Sequence, residues 1–531
     1  MAHKKIFSAA LAAVLTAAGC EVGPDYHPPQ ITVKSAYGEP IAAPSASAAP
    51  TALIQWWSAF HDPELDGLIQ RAIKNNLDLK NAESRLRQAR AQRGVVGSEL
   101  FPTVNTSGGY QNARGSKNVT IPLGAFGGAA GPAATPTVRP AVVSAAAAQG
   151  GSASVASTPS VPLSPLGQGG FPGVETQLYQ AGFDASWELD VFGGVRRSIE
   201  AADADTAAAL EDRRDLLVSL VAEVARNYID LRSAQRQMQI ATDNLQSQQE
   251  TLELTRSRYR AGFVTELDVA REAAQVATTA ATLPALDASI RLYIHELGIL
   301  LGQDPDALAA ELTAAAPIPP APPAVPLGVP ADLLRRRPDI RRAERQLAAA
   351  TARIGVATAD LYPKFTLTGS FGLDSSKVHN LAEWSSRYFA LNPGVTWPIF
   401  DAGKIRSNVA VQKELAQQAA TNYQQTVLSA LKEVEDALAA YRTEQLRRNA
   451  LADAVDASQQ AVSLARQQYQ RGVVDFLVVL DTQRSLFETQ MVLAQSDSAI
   501  STDLVALYKA LGGGWELAAA NAPTPPAAQP R

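Results

Sequence analysis

The sequence has 531 residues, a net charge of −5 and one cysteine. A single cysteine excludes an internal disulfide framework and a multi-cysteine metal site, and the mildly acidic balance disfavours nucleic acid as a partner, because its phosphates attract basic surfaces. After the first twenty residues no uninterrupted apolar run approaches the roughly 20 residues that a transmembrane helix needs.

The N-terminus has the features of an export signal. The segment HKK (3–5) precedes an uncharged apolar run (6–18), and Gly19 precedes the single cysteine, Cys20. A basic segment, a short apolar segment and small residues at a cleavage point are typical of secretion signals. The pattern resembles a bacterial lipoprotein signal, in which residues 1–19 are removed and Cys20 receives a lipid thioether. Ordinary secretion with an unmodified thiol is the alternative.

The rest of the chain contains an internal duplication. RGVVGSELFPTVNTSG (93–108) aligns with IGVATADLYPKFTLTG (354–369) at an offset of 354 − 93 = 261, and YRAGFVTELDV (259–269) aligns with YQRGVVDFLVV (469–479) at 469 − 259 = 210. The difference of 51 residues indicates an insertion between Pro102 and Trp187. We therefore divide the exported chain into an N-terminal segment, a first repeat, a linker, a second repeat and a tail, over residues 20–63, 64–312, 313–330, 331–514 and 515–531.

The insertion has low sequence complexity. From 118 to 174 it carries one charge, Arg139, among Ala, Gly, Ser, Thr and Pro. This mixture has too few large apolar side chains to build a core, so we predict an extended loop over 113–174. The Pro-rich stretch 317–330 predicts a semi-rigid linker between the repeats, and the Ala- and Pro-rich tail is expected to be disordered.

Each repeat contains two segments with strand periodicity. Apolar and polar residues alternate in KFTLTGSFGL (364–373) and in YFALNPGVTWPI (388–399), and the first repeat has the same pattern at 104–110 and 179–187. This alternation predicts one two-stranded hairpin per repeat with one apolar face. Four strands cannot close a barrel, for which about eight is the practical minimum, and open edges are not tolerated in lipid. Membrane-spanning strands would therefore need other chains, and a small soluble sheet is the alternative.

Two long segments have helical periodicity. Residues 195–261 and 404–471, runs of 67 and 68, lack Gly and Pro, and at about 1.5 Å per residue each would reach on the order of 100 Å. Gly262 and Gly472 end these runs, and a shorter helical pattern follows each glycine. Large side chains recur every seven residues, which predicts coiled-coil packing. The two series are Leu210, Leu217, Val224, Leu231, Met238, Leu245, Leu252 and Tyr259, then Val427, Val434, Tyr441, Val455, Val462 and Tyr469, with Arg448 interrupting the second.

Helical patterns also open each repeat, at 64–94 and 332–355, and the fold class is therefore mainly α with a small β part. No G-x-S-x-G, H-E-x-x-H, P-loop or C-x-x-C pattern occurs, and the five histidines are scattered. We accordingly predict neither an enzyme nor a metal site. RRRPDIRR (335–342) predicts an ion-paired helix start, with Pro338 and Asp339 suited to a first turn, and a basic patch for anionic lipid or nucleic acid is the alternative.

Several stretches together resemble the outer membrane factors of bacterial tripartite efflux systems, the TolC-like family, in its OprM/NodT-type lipoprotein branch. They are GCEVGPDYHPP (19–29), WWSAFHDPELDGLIQRAIKNNLDLKNAESRL (56–86), LLRRRPDIRRAERQLAAATARIGVATADLYPKFTLTGSFG (333–372), PIFDAGKIRS (398–407) and YQRGVVDFLVVLDTQRSLF (469–487). The resemblance covers nearly the whole mature chain except 113–174 and the tail. It implies long antiparallel coiled-coil hairpins that form a periplasmic tunnel, and four strands per chain in a trimeric, 12-stranded transmembrane β-barrel.

The function that this resemblance implies is a passive duct for toxic compounds in the outer membrane, anchored by a covalent lipid such as palmitate on Cys20 and needing no other cofactor. Its implied partners are two further copies of the chain, outer membrane lipid, a periplasmic adaptor protein and an inner-membrane pump of the resistance-nodulation-division type. Two alternatives remain open: the duct of a type I protein secretion system, and a non-conducting structural coiled-coil lipoprotein of the periplasm.

The resemblance also implies functional residues. It places a periplasmic gate on the last return helix, at Leu477 and Asp481, where three aspartates around an axis would repel one another and attract cations. An ordinary coiled-coil surface is the alternative, and the first repeat has Arg271 at the position equivalent to Asp481. Contacts with the adaptor are implied at the two hairpin tips, at Arg260, Gly262, Phe263, Val264, Arg471, Gly472, Val473 and Val474.

Overall fold

A computed structural model describes residues 21–29, 37–38, 54–114, 175–322 and 330–516. The chain divides into two compact units. The helical unit comprises residues 1–98, 191–362 and 398–531, and the sheet unit comprises 99–190 and 363–397. The predicted signal, Cys20, and most of the predicted insertion and tail lie outside the described residues.

The helical unit contains the long helices that the sequence predicts. The longest two, α3 and α8, have 67 residues each, and their bounds agree with the predicted runs to within one residue. The helices of the first repeat are α1 (Pro63–Asn75), α2 (Leu77–Ser98), α3 (Gly194–Arg260), α4 (Glu266–Leu300) and the short α5 (Ala309–Leu312). Those of the second are α6 (Pro330–Arg336), α7 (Pro338–Ala359), α8 (Lys404–Gln470) and α9 (Phe476–Ala510).

The opening segment of each repeat is broken. The sequence predicted a helix over 64–94 without this break, and over 332–355 a helical segment with Pro338 in a first turn. In the first repeat Asn76 separates α1 from α2: its side-chain oxygen accepts a hydrogen bond from the Leu79 amide at 2.9 Å, and its side-chain nitrogen donates to the Leu300 carbonyl at 2.9 Å. In the second repeat the break falls at Arg337, because a residue before proline is disfavoured in the α-helical conformation. The start predicted at Pro338 is confirmed.

The predicted seven-residue seams form the core of the helical unit. All six residues of the second series are buried, and Arg448, which interrupts it, pairs with Asp497 on α9 at 2.9 Å. In the first series Leu217, Val224, Leu231 and Leu252 are buried, and Leu210, Met238 and Leu245 are half-buried. Tyr259 is exposed, against the prediction, because the last turn of α3 directs Arg258 rather than Tyr259 towards α8.

The helices of this unit lie side by side with the two repeats in contact. Helix α3 packs against α2 and α7 along one part of its length and against α4 and α9 along another, and α8 packs against α7 and α9. Helices α2 and α4 of the first repeat therefore form one edge of the layer, and α8 of the second repeat forms the other. Among the described helices, none combines the length and apolar character needed to cross a bilayer.

The sheet unit contains the two predicted hairpins. Strands β1 (Thr103–Arg114), β2 (Glu175–Leu189), β3 (Lys364–Ser375) and β4 (Arg387–Thr396) pair antiparallel in the order β1-β2-β3-β4. Several bounds differ from the prediction, by up to four residues. Strand β1 extends into the predicted loop, through Ala113 and Arg114. Strand β4 ends at Thr396, before Trp397 and Ile399, because Thr396 lies opposite Lys364, the first residue of its partner β3.

The basic segment 335–342 is ion-paired, as predicted. Arg337 lies 2.7 Å from carboxylate oxygens of both Asp339 and Glu433. Arg341 pairs with Glu211 on α3 at 2.9 Å. These contacts attach the start of α7 to α3 and α8, so this segment belongs to the core of the helical unit.

Candidate functional site

The two helical hairpins end in tips of the same geometry. Gly262 and Gly472, with φ angles of +80° and +74°, adopt the left-handed conformation that ends a helix. After each glycine, the next amide donates to the carbonyl five residues earlier at 2.9 Å. A Cβ atom at either position would meet no atom within 4 Å. Glycine is therefore required here by the backbone conformation and not by lack of space.

The predicted contact residues fall into two groups. Phe263 and Val473 are 78% and 70% exposed, whereas Val264 and Val474 pack against a small buried cluster of residues from α8 and α9. The exposed group, together with further exposed apolar side chains on the first turns of α4 and α9, is here called the tip surface: Arg260, Phe263, Leu267, Arg471, Val473, Leu477 and Val478. The acids Glu266 and Asp475 are exposed beside it. Exposed apolar side chains grouped in this way suit binding of another protein.

One arginine joins the two tips within the chain. Arg258, in the last turn of α3, donates hydrogen bonds to the carbonyl oxygens of Tyr469 at 2.9 Å and Gln470 at 3.2 Å, at the end of α8. Its guanidinium lies 4.4 Å from the centroid of the Tyr469 ring. The Arg258 side chain therefore satisfies helix-terminal carbonyl groups of the other repeat.

The predicted gate residues lie on one exposed face of α9. Leu477 and Asp481 are four residues apart, about one helical turn, and both are exposed. Further along the same face, Arg484 pairs with Glu488 at 2.9 Å. Arg271, the counterpart of Asp481 in the first repeat, is also exposed on α4. The helix thus brings Leu477 and Asp481 together, and their role as a gate stays a prediction.

A buried polar layer, which the sequence analysis missed, lies behind the tips. Arg466 on α8 donates to the Ser247 hydroxyl on α3, and the Gln483 amide on α9 lies between it and Thr251. With the Gln483 amide oxygen turned towards Arg466, their separation is 2.6 Å. Glu272 on α4 is fully buried, and burial raises the pKa of its carboxyl group to about 7, against the opposing effect of Arg466.

The chain just after Cys20 is fixed to the helical unit. The Val22 amide donates to the Phe192 carbonyl at 3.2 Å, and the buried Arg197 side chain donates to Asp25 at 2.6 Å. Gly23, at φ +98°, lies so close to Gly355 that a Cβ atom would come within 2.4 Å of the Gly355 Cα. We call residues 21–25 the N-terminal clip. It fixes the chain next to Cys20 beside the start of α3.

Within the described residues, no group of His, Cys, Asp and Glu side chains could hold a metal ion. A cleft of about 930 Å³ in the described part of the helical unit lies away from the tips, between residues 315–322 and helices α3, α8 and α9.

Comparisons with known proteins agree with this architecture. The chain matches a family model described as outer membrane efflux protein over residues 68–132, 139–303 and 329–513. It is 31% identical to Nodulation protein T of Rhizobium leguminosarum bv. trifolii, across 94% of this chain and 96% of that protein. It is 32% identical to the toluene efflux pump outer membrane protein TtgF of Pseudomonas putida, across 94% and 95%.

Two solved structures of outer-membrane channels also match. The channel OprN is 34% identical, with a TM-score of 0.78, and the match covers 94% of this chain and 100% of that one. The open state of the Neisseria gonorrhoeae MtrE outer membrane channel is 26% identical, with a TM-score of 0.74 and coverage of 93% and 99%.

Proposed function

Since this chain belongs to the outer membrane efflux protein family, we propose that it forms, with two further copies of itself, the passive outer membrane duct of a tripartite efflux system. The observation that carries this proposal is that the described sheet exposes an apolar face and ends in two unpaired strand edges. The family supplies the efflux function, and the arguments below support the trimer, the anchor and the partners.

The sheet presents opposite chemistry on its two faces. Register places Phe183 beside Phe371 and Phe371 beside Phe389, and all three side chains are exposed, Phe389 by 84%. The row three residues further along the strands is polar and lies on the other face: Ser186, Thr368 and Asn392. A wall between lipid and water requires this arrangement. It argues against the small soluble sheet, which would cover its apolar face with other elements.

The strand edges support a ring of chains. Strands β1 and β4 each have one neighbour in the described sheet. Pairing of β4 with β1 of another chain is a head-to-tail contact, which closes when the rotation between copies completes a circle. Three copies of four strands supply twelve, enough to exceed the practical minimum of about eight.

The helical unit has matching unpaired edges. On α8, Leu428, Leu446 and Leu464 are exposed and stand 18 residues apart, which is about five turns and therefore one face. On the opposite edge, α4 exposes Leu292 and Ile299, seven residues apart. In each unit, one free edge belongs to the first repeat and the other free edge belongs to the second repeat. We infer that α8 of one chain packs against α2 and α4 of the next.

The N-terminal clip and the tip surface support a membrane anchor and a soluble partner. The clip attaches the chain next to Cys20 to the start of α3, where the Val22 amide donates to the Phe192 carbonyl. This supports a lipid on Cys20. The tip surface, with exposed Phe263 and Val473, supports docking of a periplasmic adaptor that connects to a resistance-nodulation-division pump.

Relatives of this chain are named for efflux of toluene and of antibiotics. We propose small toxic compounds as the cargo, with selection by the pump, and no catalytic activity in the chain itself. A deletion strain should become more susceptible to such compounds and recover when the gene is restored. Lost protein secretion with unchanged susceptibility would favour the type I alternative.

Single-channel recording tests the duct. Purified protein should run as a trimer by native mass spectrometry and conduct in planar bilayers. A stable monomer, or a trimer without conductance, would favour the structural lipoprotein instead. Mass spectrometry of the mature N-terminus tests the anchor, with Cys20→Ser as the control: a free thiol on Cys20 would refute lipidation.

A further inference from the structure

The buried carboxyl group of Glu272 lies at the junction of the two repeats, on the second turn of α4 from the tip. Its side chain is 0% exposed, and neither carboxylate oxygen has a hydrogen-bond partner among the described residues. The position is part of the α4 seam, because Glu272 and the buried Thr279 are seven residues apart. An acid at such a position costs free energy when charged, since nothing replaces the water that it lost.

The neighbouring charged groups do not compensate Glu272. Arg466 of α8 is the cation that acts on it, but the Arg466 guanidinium is already bound to Ser247 and oriented towards Gln483. From α3, the buried Thr255 gives its hydroxyl hydrogen to the Thr251 carbonyl of its own helix at 2.9 Å.

The other charged side chains near this level have partners of their own or are exposed. On α4 itself, Asp268 bonds to Thr265 in a helix cap, and Arg271 is exposed. On α3, the exposed Arg256 and Glu253 pair with each other. On α9, the exposed Arg484 pairs with Glu488. Close packing of α4 therefore favours the protonated form of Glu272, and the ionised form requires hydration.

We propose that Glu272 is a proton-binding site that couples the packing of α4 behind the tips to the pH of the surrounding solution. With the proton bound, α4 packs closely against its neighbours. Loss of the proton leaves a carboxylate that water must reach, which loosens the first turns of α4. The inference rests on the proposed function in one respect: the loosening of α4 makes the tips of the duct easier to open.

The direction and size of the effect follow from linkage. The pKa of Glu272 is about 7 in the packed state, above the ordinary value of 4.5. The packed state therefore binds more protons, and its stability is present in acid and lost as the pH rises through about 7. If hydration restores the ordinary pKa, raising the pH from about 6 to about 8 shifts the equilibrium about tenfold per chain towards the loosened state.

The second repeat provides an internal comparison. Its equivalent position, 272 + 210 = 482, holds Thr482, whose hydroxyl donates to the Val478 carbonyl of its own helix at 2.9 Å. The buried acid of α4 therefore has no titratable counterpart at the equivalent position of α9. A trimer would consequently contain three such sites, one for each α4.

Hydrogen–deuterium exchange of the full-length protein tests the proposal. Peptides covering 266–280 are followed at about pH 6 and about pH 8, with rates corrected for the intrinsic pH dependence of exchange. Protection in the wild type should fall about tenfold over this interval. Glu272→Gln keeps the shape and removes the titration, and Glu272→Thr introduces the residue that the second repeat tolerates. Both should show pH-independent protection, whereas Glu250→Gln, at an exposed acid of α3, should behave as the wild type.

Single-channel recording adds a second readout. Open probability should rise with pH in the wild type and stay constant in both Glu272 variants. Wild-type protection that does not change with pH, or a pH response that survives in Glu272→Gln or Glu272→Thr, would overturn the proton site. If one variant fails to fold, the wild type and the other variant still test the proposal. A protein that shows the exchange response but never conducts would retain the proton site and refute the duct.

Discussion

Replacing Arg258 by alanine should loosen the attachment of one helical tip to the other. The substitution removes two hydrogen bonds from a charged donor, each contributing about 1.5–3 kcal/mol when well shielded, and a cation–π contact of about 0.5–1 kcal/mol. Because the Arg258 side chain is only half-buried, solvent screening reduces the total, and we expect a loss of about 2 kcal/mol. This corresponds to about a 30-fold increase in local opening.

Exchange of the amides in residues 466–476 measures this opening directly, and Arg256 provides a matched control. Arg256 lies two residues away on the same helix, but it is exposed and pairs with Glu253 within α3 at 2.6 Å. An exposed pair of this kind contributes about 0.2–1 kcal/mol, so Arg256→Ala should change exchange by only a few-fold. Equal effects of the two substitutions, or no effect of Arg258→Ala, would show that the repeats are not held together by Arg258.

Four further substitutions test the clip, the buried seam, the helical edge and the gate. Gly23→Ala should release the N-terminal clip, because its Cβ would lie 2.4 Å from the Gly355 Cα; limited proteolysis should then cut before residue 30 faster than in the wild type, and an unchanged rate would contradict the clip. Leu217→Ala removes a fully buried seam side chain and should lower the free energy of unfolding by about 2–5 kcal/mol. Leu446→Glu, at an exposed edge position, should leave the helix content intact and weaken the trimer in native mass spectrometry. A trimer of wild-type stability would refute the proposed edge. Asp481→Ala should raise conductance and reduce cation preference, and unchanged currents would assign Asp481 to ordinary helix surface.

Regular periodicity allowed much of the fold to be predicted from the sequence. The Gly- and Pro-free runs gave α3 and α8 within one residue, because tertiary packing of a seven-residue seam and helix propensity favour the same conformation. The break at Asn76 in the opening segment of the first repeat was missed. Asn76 is an ordinary residue for a helix surface, and it ends α1 because its side chain can reach the Leu300 carbonyl of a helix more than 200 residues away. Local sequence does not specify such a partner.

The polar layer behind the tips was not predicted, for a related reason, although the duplicated sequence contains a signal for it. Spacing assigns Glu272, Arg466 and Thr251 to helices, but it does not say which side chains meet between neighbouring helices. Comparison of the two repeats does identify the side chains that meet a neighbouring helix. At the offset of 210, Ser247 and Thr251 correspond to Ala457 and Ala461. Where one copy of a duplicated helix has alanine and the other a polar residue, the shared backbone does not require the polar side chain.

Such a residue must therefore serve a contact that only one copy makes. In this chain that contact is the packing of α3 against α9, where the first repeat meets the second within one molecule. The contact proposed between chains, α8 against α2 and α4, presents leucine and isoleucine instead. A duplicated chain can thus place hydrogen-bonded, titratable side chains at one kind of hairpin contact and apolar side chains at the other. A ring of six identical hairpins could not do so, because all of its contacts would be the same.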